Sequence, residues 1–191
     1  MHPVSAASKI MKLLELQDKY YSPIKRFVSF HVKNYWTAED IVQETFLKAH
    51  RSLDTLKDPS KAKTWLYTIA WNLCLTHFKK NKNKPEALFD QFEIKSGLVN
   101  IEQQVEQSEM GDCVQEKIKR LPDKLKLVLS LYDIEDCSHK DISEILNISI
   151  KTSKTRLHRA RKALKEILKK ECTFQRDSRN IFVCVPKEDE H

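Results

Sequence analysis

The stretch "SHKDISEILNISIKTSKTRLHRARKALK", residues 138–165, decides the fold. Ser138 followed by Asp141 is a capping pattern, and it opens a short helix whose inward residues are Ile142, Ile145 and Leu146. Asn147-Ile148-Ser149 makes a three-residue turn: Asn tolerates a left-handed backbone, and Ser149 is placed to cap the helix that follows. At 100° per residue, Ser153, Leu157, Ala160, Leu164, Ile167 and Leu168 of that helix fall within a sector of roughly 100°. Lys151, Lys154, His158, Arg161, Lys162, Lys165 and Lys169 fill the adjacent sector. One side packs and the next is a cationic ridge. A short helix, a tight turn and a long basic helix are the pieces of a helix-turn-helix, whose second helix offers its first residues to base edges in the major groove. Lys151, Thr152, Lys154, Thr155 and Arg156 are placed for base edges, and His158, Arg159, Arg161 and Lys162 for phosphates. The plain alternative is a solvated lysine-rich helix, and the capped helix and turn directly before it weigh against that.

Outward from this stretch, the chain of 191 residues is long enough for one ordinary domain or two small ones. Two glycines and no alternating β-branched runs predict an all-α fold. The net charge of +7 points to a polyanionic partner, because cationic side chains release counterions from phosphates. Its distribution is uneven. Residues 1–84 hold 15 basic and 7 acidic side chains, 85–116 hold 1 and 8, and 117–170 hold 15 and 7. Two basic blocks flank an acidic connector. The first residues lack the pattern of a signal peptide, and no apolar run approaches a membrane span, so a cytoplasmic location is expected. The five cysteines are odd in number and scattered, which argues for reduced thiols.

In the first block the apolar spacing from Ile10 to Lys33 reads as helix, interrupted near Ser22-Pro23 to give two short helices or one kinked one. Thr37 is expected to cap a second helix carrying Ile41, Val42, Phe46 and Ala49 on one face. After a loop over 54–62, a third helix from about Lys63 to Lys79 runs into a basic tract ending at Lys84. Residues 85–116 read as a flexible acidic linker, with a helical turn or two conceivable over 101–110. The second block opens at Leu121-Pro122, with proline at the first helical position. The expected organisation is two small helical domains, 10–84 and 117–170, joined by that linker, with 171–191 an unassigned tail.

Beyond these readings, "AEDIVQETFLKAH" (38–50), "TWLYTIAWNL" (64–73), "LP" at 121 and the stretch quoted first, in this order and spacing, resemble bacterial RNA polymerase sigma factors of the extracytoplasmic-function group. The resemblance implies that 10–84 is a region 2-like domain, which docks on the clamp helices of the largest polymerase subunit and opens the minus-10 element. It implies that 117–170 is a region 4-like domain for the minus-35 element, also meeting the flap of the second-largest subunit. On the matching positions, Asp40, Gln43 and Glu44 correspond to the docking face. Residues that hold separated bases supply aromatic or amide surface beside cations, and Lys61, Lys63, Trp65, Tyr67, Trp71, Asn72, Lys79 and Lys80 offer these groups for the minus-10 strand. Read without the resemblance, Asp40, Gln43 and Glu44 are the wet side of an amphipathic helix and the aromatics are packing. The resemblance further implies an anti-sigma partner, often membrane-bound. Ser153 departs from the aliphatic residue usual there and is expected to weaken the inward face; Asn147 replaces a common glycine.

Two rival readings remain. A helix-turn-helix regulator acting apart from polymerase would need a ligand-binding or receiver domain, for which residues 1–84 carry no strand pattern or glycine-rich loop. An enzyme would need a catalytic cluster, and none is apparent. Cys74 with His77, and Cys137 with His139, lack close Cys-x-x-Cys spacing, so no metal is expected. Neither a cofactor nor a small-molecule substrate is expected.

Overall fold

The structure is a computed structural model, and it describes residues 6–81, 113–176 and 182–186. The linker predicted over 85–116 lies outside the described residues up to 112, as does the turn considered over 101–110. Helix α1 runs Ala6–His31, α2 Tyr35–Arg51 and α3 Ala62–Asn81. Helix α4 is described over 113–119. It is followed by α5, Asp123–Leu129, which widens into a π turn over Ser130–Ile134, and then by α6, His139–Leu146, and α7, Ile150–Glu171. Two strands, β1 (Cys172–Arg176) and β2 (Phe182–Pro186), close the described chain as an antiparallel hairpin pairing Cys172 with Pro186 and Arg176 with Phe182. The molecule is thus helical, with one small hairpin in the stretch that the sequence left unassigned.

Several boundaries differ from expectation for physical reasons. Of the two forms expected around Pro23, two short helices or one kinked one, the chain forms a single element, α1, with Pro23 inside it. Proline removes a single donor, and the burial of Ile24, Phe27 and Val28 just beyond it holds the helix together. The cap of α2 is Asn34, not Thr37: the Asn34 side chain accepts from the Thr37 amide at 2.9 Å, and the Thr37 hydroxyl donates to the same oxygen at 3.1 Å. The region between α2 and α3 is not a plain loop but two 3-10 turns, Leu53–Thr55 and Pro59–Lys61, the second capped by Asp58. Pro122 sits just before α5 rather than in it, and its carbonyl accepts from Leu125 and Lys126.

The chain divides into two compact units, residues Met1–Phe92 with Ser130–Ser153, and Glu93–Leu129 with Lys154–His191. In the first, α3 packs against α1, α2 and α6. Its core is built from Phe27 and Val28 of α1, Val42 and Ala49 of α2, Leu66, Tyr67 and Cys74 of α3, and Leu131 and Ile142. Burying each such large apolar side chain contributes about 1.5–3 kcal/mol. In the second unit Ile118, Leu121, Val128, Leu157 and Ala160 are buried. There Glu171, at the end of α7, takes Lys117 at 2.5 Å and Arg120 at 2.8 Å.

Candidate nucleic-acid interface

The turn before α7 forms as its residues dictate. Ser138 and Asp141 make a reciprocal capping box: the Asp141 amide donates to Ser138 Oγ at 3.2 Å, and the Ser138 amide donates to Asp141 Oδ2 at 3.0 Å. Asn147 ends α6 in the left-handed conformation, φ 51°. Ser149 Oγ accepts from the Thr152 amide at 3.0 Å and so caps α7. Ser153 does not leave a weak point. It is fully buried, and its hydroxyl lies 2.9 Å from His139 Nδ1, a side-chain bond from the start of α7 to the start of α6.

On α7, Leu157 and Ala160 are buried and Leu164, Ile167 and Leu168 half-buried, while Lys151, Lys154, Thr155, His158, Arg159, Arg161 and Lys162 are exposed and Thr152 and Arg156 half-buried. The packed and cationic sides sit as the periodicity placed them. The acids of α7 are Glu166 and, at its last position, Glu171, so from Lys151 to Lys165 the ridge carries no acid.

On α2, Asp40 and Gln43 are exposed and Glu44 half-buried. Trp36 (74% exposed) and Leu47 (50%) stand on either side of them, at spacings of one and two helical turns. Glu39, one residue from this face, turns aside to pair with Lys25 of α1, and that hydrogen bond raises the affinity of the lysine for its proton.

The residues expected at the minus-10 strand lie on α3, apart from Lys61 in the 3-10 turn before it, but not in one environment. Asn72, Lys79 and Lys80 are exposed, and Lys61, Lys63, Trp65 and Trp71 half-buried. The ring of Trp71 lies edge-on to Phe27, His31 and Phe78. Tyr67 is fully buried; its hydroxyl donates to Glu135 Oε2 at 2.5 Å, and its ring meets Phe27 edge-on. Burial, then that hydrogen bond, pushes the ionisation of Tyr67 far above its ordinary range, so it stays a donor.

Glu135 is the residue that sequence reasoning missed. It is 4% exposed, and Arg26 of α1 grips its carboxylate through Nε and Nη2, both at 2.9 Å. Lys63 donates to the backbone carbonyls of Glu135 and, at 3.0 Å, of Asp136. Alongside, Thr64 donates to Asp141 Oδ1 at 2.7 Å and Lys61 lies 3.3 Å from Glu144. The π turn ends at Glu135, whose amide donates to the Ser130 carbonyl at 2.9 Å, and Asp136 adopts φ 49°. The partners are 109 residues apart, and no local pattern announces such a pairing.

Cys74 and Cys137 are buried, and burial pushes both thiols up to about 12, which keeps them inert. Among the described residues no group of three His, Cys, Asp or Glu is gathered to hold a metal ion, and no helix is long and apolar enough to cross a membrane.

Comparison with known proteins agrees with this geometry. The model of Sigma-70 region 2 matches residues 16–84, and that of Sigma-70, region 4 matches 111–164. The chain is 36% identical over 162 residues to the ECF RNA polymerase sigma factor SigW of Bacillus subtilis (strain 168), covering 80% of this chain and 84% of that protein. To the RNA polymerase sigma factor SigZ of the same organism it is 31% identical over 167 residues, 87% of this chain and 93% of the other. Among solved structures, the sigma factor RpoE in complex with the anti-sigma factor NepR from Bartonella quintana shares the fold with a TM-score of 0.65 at 23% identity, over 83% of this chain and 95% of that one. CnrH in complex with the cytosolic domain of CnrY does so with a TM-score of 0.58 at 21% identity, over 83% and 88%.

Proposed function

The chain belongs to the extracytoplasmic-function sigma factors of the sigma-70 family, and from that premise we propose how its own residues carry out transcription initiation. As an alternative sigma factor it joins core RNA polymerase, recognises the minus-35 and minus-10 promoter elements and promotes initiation. Region 4, on this reading, uses Lys151, Thr152, Lys154, Thr155 and Arg156 for base edges and His158, Arg159, Arg161 and Lys162 for phosphates. The single observation that carries this is the exposed cationic side of α7 beside its buried apolar side, behind a capped α6 and a left-handed turn.

Region 2 docks on the clamp helices through Asp40, Gln43 and Glu44, and Trp36 and Leu47 add apolar contact on either side. Lys61, Lys63, Trp65, Trp71, Asn72, Lys79 and Lys80 line the path of the minus-10 strand, while Tyr67 reaches it only after parting from Glu135. The protein works in the cytoplasm beside polymerase and performs no bond chemistry of its own. The sigma factor RpoE, which shares the fold, is in complex with the anti-sigma factor NepR, and this supports an anti-sigma partner here.

Run-off transcription with purified core tests the function: promoter-specific transcripts are expected on a cognate template, and none on any template counts against it. Arg156→Glu with Arg161→Glu abolishes minus-35 dependence in the same assay. Asp40→Lys with Glu44→Lys abolishes co-purification with core, and normal co-purification refutes the docking face.

A further inference from the structure

We infer that the free edge of β2, Phe182–Pro186, pairs antiparallel with β2 of a second copy of this chain about a two-fold axis at Cys184, joining two hairpins into one four-stranded sheet. The inference is independent of the transcription reading above, which assigns nothing to this hairpin.

The backbone identifies the edge. β1 and β2 form a sheet of two strands, and among the described residues no third strand lies beside either. Pro186, opposite Cys172, has no N–H, and a proline is accommodated in a ladder where its nitrogen faces away from the neighbouring strand. Bonding alternates along an antiparallel pair, so Cys184, opposite Phe174, and Phe182, opposite Arg176, also turn their N–H and C=O groups away from β1. Val183 and Val185 exchange their bonds with Gln175 and Thr173. β2 therefore offers a further strand the N–H groups of residues 182 and 184 and the C=O groups of 182, 184 and 186. The hairpin starts from a fixed point, because Glu171, directly before β1, holds Lys117 at 2.5 Å and Arg120 at 2.8 Å.

Composition says which edge is used and by what. β1 reads Cys-Thr-Phe-Gln-Arg, with polar residues of the kind that guard a strand edge, whereas β2 reads Phe-Val-Cys-Val-Pro, without charge, amide or hydroxyl. An unbroken apolar run is the pattern of an interior strand, and a two-stranded sheet is marginal where three or more strands are stable. Val183-Cys184-Val185 reads the same in both directions. A two-fold axis at Cys184 thus sets Val183 of one copy opposite Val185 of the other and overlaps all five residues of the strand. Each Cys184 N–H then donates to the Cys184 C=O of the other copy, and each Phe182 N–H to the Pro186 C=O. By alternation, positions 183 and 185 share the side of exposed Thr173, opposite that of buried Cys172, so four valine positions gather on one side of the sheet. Charge favours the antiparallel sense. Residues 176–181, before β2, carry Arg176 and Arg179 against Asp177, and residues 187–190, after it, carry Lys187 against Glu188, Asp189 and Glu190. An antiparallel copy brings the basic flank to the acidic one, and a parallel copy would set like against like. A five-residue overlap is small, so the pairing is weak and depends on concentration.

Sedimentation velocity of the full-length chain under reducing conditions, from about 10 μM to about 1 mM, tests the association, and a shift from monomer to dimer with concentration is expected. Cys184→Pro removes the two central donors between copies and no bond of the hairpin itself, so it is expected to weaken the dimer about thirtyfold, for two hydrogen bonds. Cys184→Ala keeps both donors and is expected to leave the dimer as tight as in the natural chain. A second measurement does not depend on the hairpin tolerating proline. Residues that exchange both bonds across an antiparallel pair have Cα atoms about 5.5 Å apart, within the span of a disulfide. In a chain carrying Cys113→Ser, oxidation by a diazene, which takes up the two hydrogens of two thiols as they form one S–S bond, should give a linked dimer on a non-reducing gel. Adding Cys184→Ser should abolish that band. A chain that stays monomeric over the whole range, a dimer that Cys184→Pro leaves unweakened, or no linkage through Cys184 overturns the inference.

Discussion

Asp141 shows how much one side chain joins. It completes the capping box of α6 with Ser138 and accepts from Thr64 of α3. Burial pushes its carboxyl up, but the hydrogen bonds from Ser138 and Thr64 outweigh that and hold it below the ordinary carboxylate range. A carboxyl lowered in the folded state stabilises the fold above its unfolded value, and the contribution is lost as pH falls through the folded one. Urea midpoints measured from about pH 5 down to about pH 3 are therefore expected to drop more steeply for the natural chain than for Asp141→Asn. Parallel curves would show that the carboxylate is not linked to folding. Ser138 and Asp141 were legible as a cap because both partners lie three residues apart. Thr64 was not, because it is 77 residues away.

At the scale of elements, local chemistry and burial divide the work. The turn between α6 and α7 obeys local rules: Asn147 is left-handed and Ser149 caps α7. Asn147→Ala places a Cβ where the left-handed backbone crowds it, at a cost of about 1–2 kcal/mol, and Asn147→Gly is neutral or stabilising. Thermal or chemical denaturation of the two variants measures the difference, and an alanine variant as stable as the natural chain would contradict it. Helix α1 follows the other rule. Local preference at Pro23 left a break or a kink open, and the helix continues, since Ile24, Phe27 and Val28 are buried within the first unit. The hairpin after α7 was missed for a related reason. Its strands are five residues each, too short for an alternating pattern to stand out beside the helices.

For the molecule as a whole, charge is the organising quantity. The cationic side of α7 predicts that promoter binding by the holoenzyme weakens steeply with salt, with log K falling by about 0.9 per phosphate neutralised for each decade of salt. Replacing Arg161 with alanine should reduce that slope by about one phosphate and weaken binding on all promoters alike. An unchanged slope would mean that Arg161 does not meet the backbone. Within the first unit, the cations Arg26 and Lys61 are paired with Glu135 and Glu144.

The sequence by itself determined the helices, the helix-turn-helix, the two charged blocks and the exposed ridge of α7. These follow from periodicity, caps and net charge, which act over a few residues or sum over many. Only the tertiary structure decided that Ser153 is satisfied by His139, that Tyr67 is sealed from solvent, and that Arg26 and Glu135 meet across 109 residues of chain. A buried charge is stable only where its partners converge, and which partners converge depends on how the helices pack, a relation that no local spacing records.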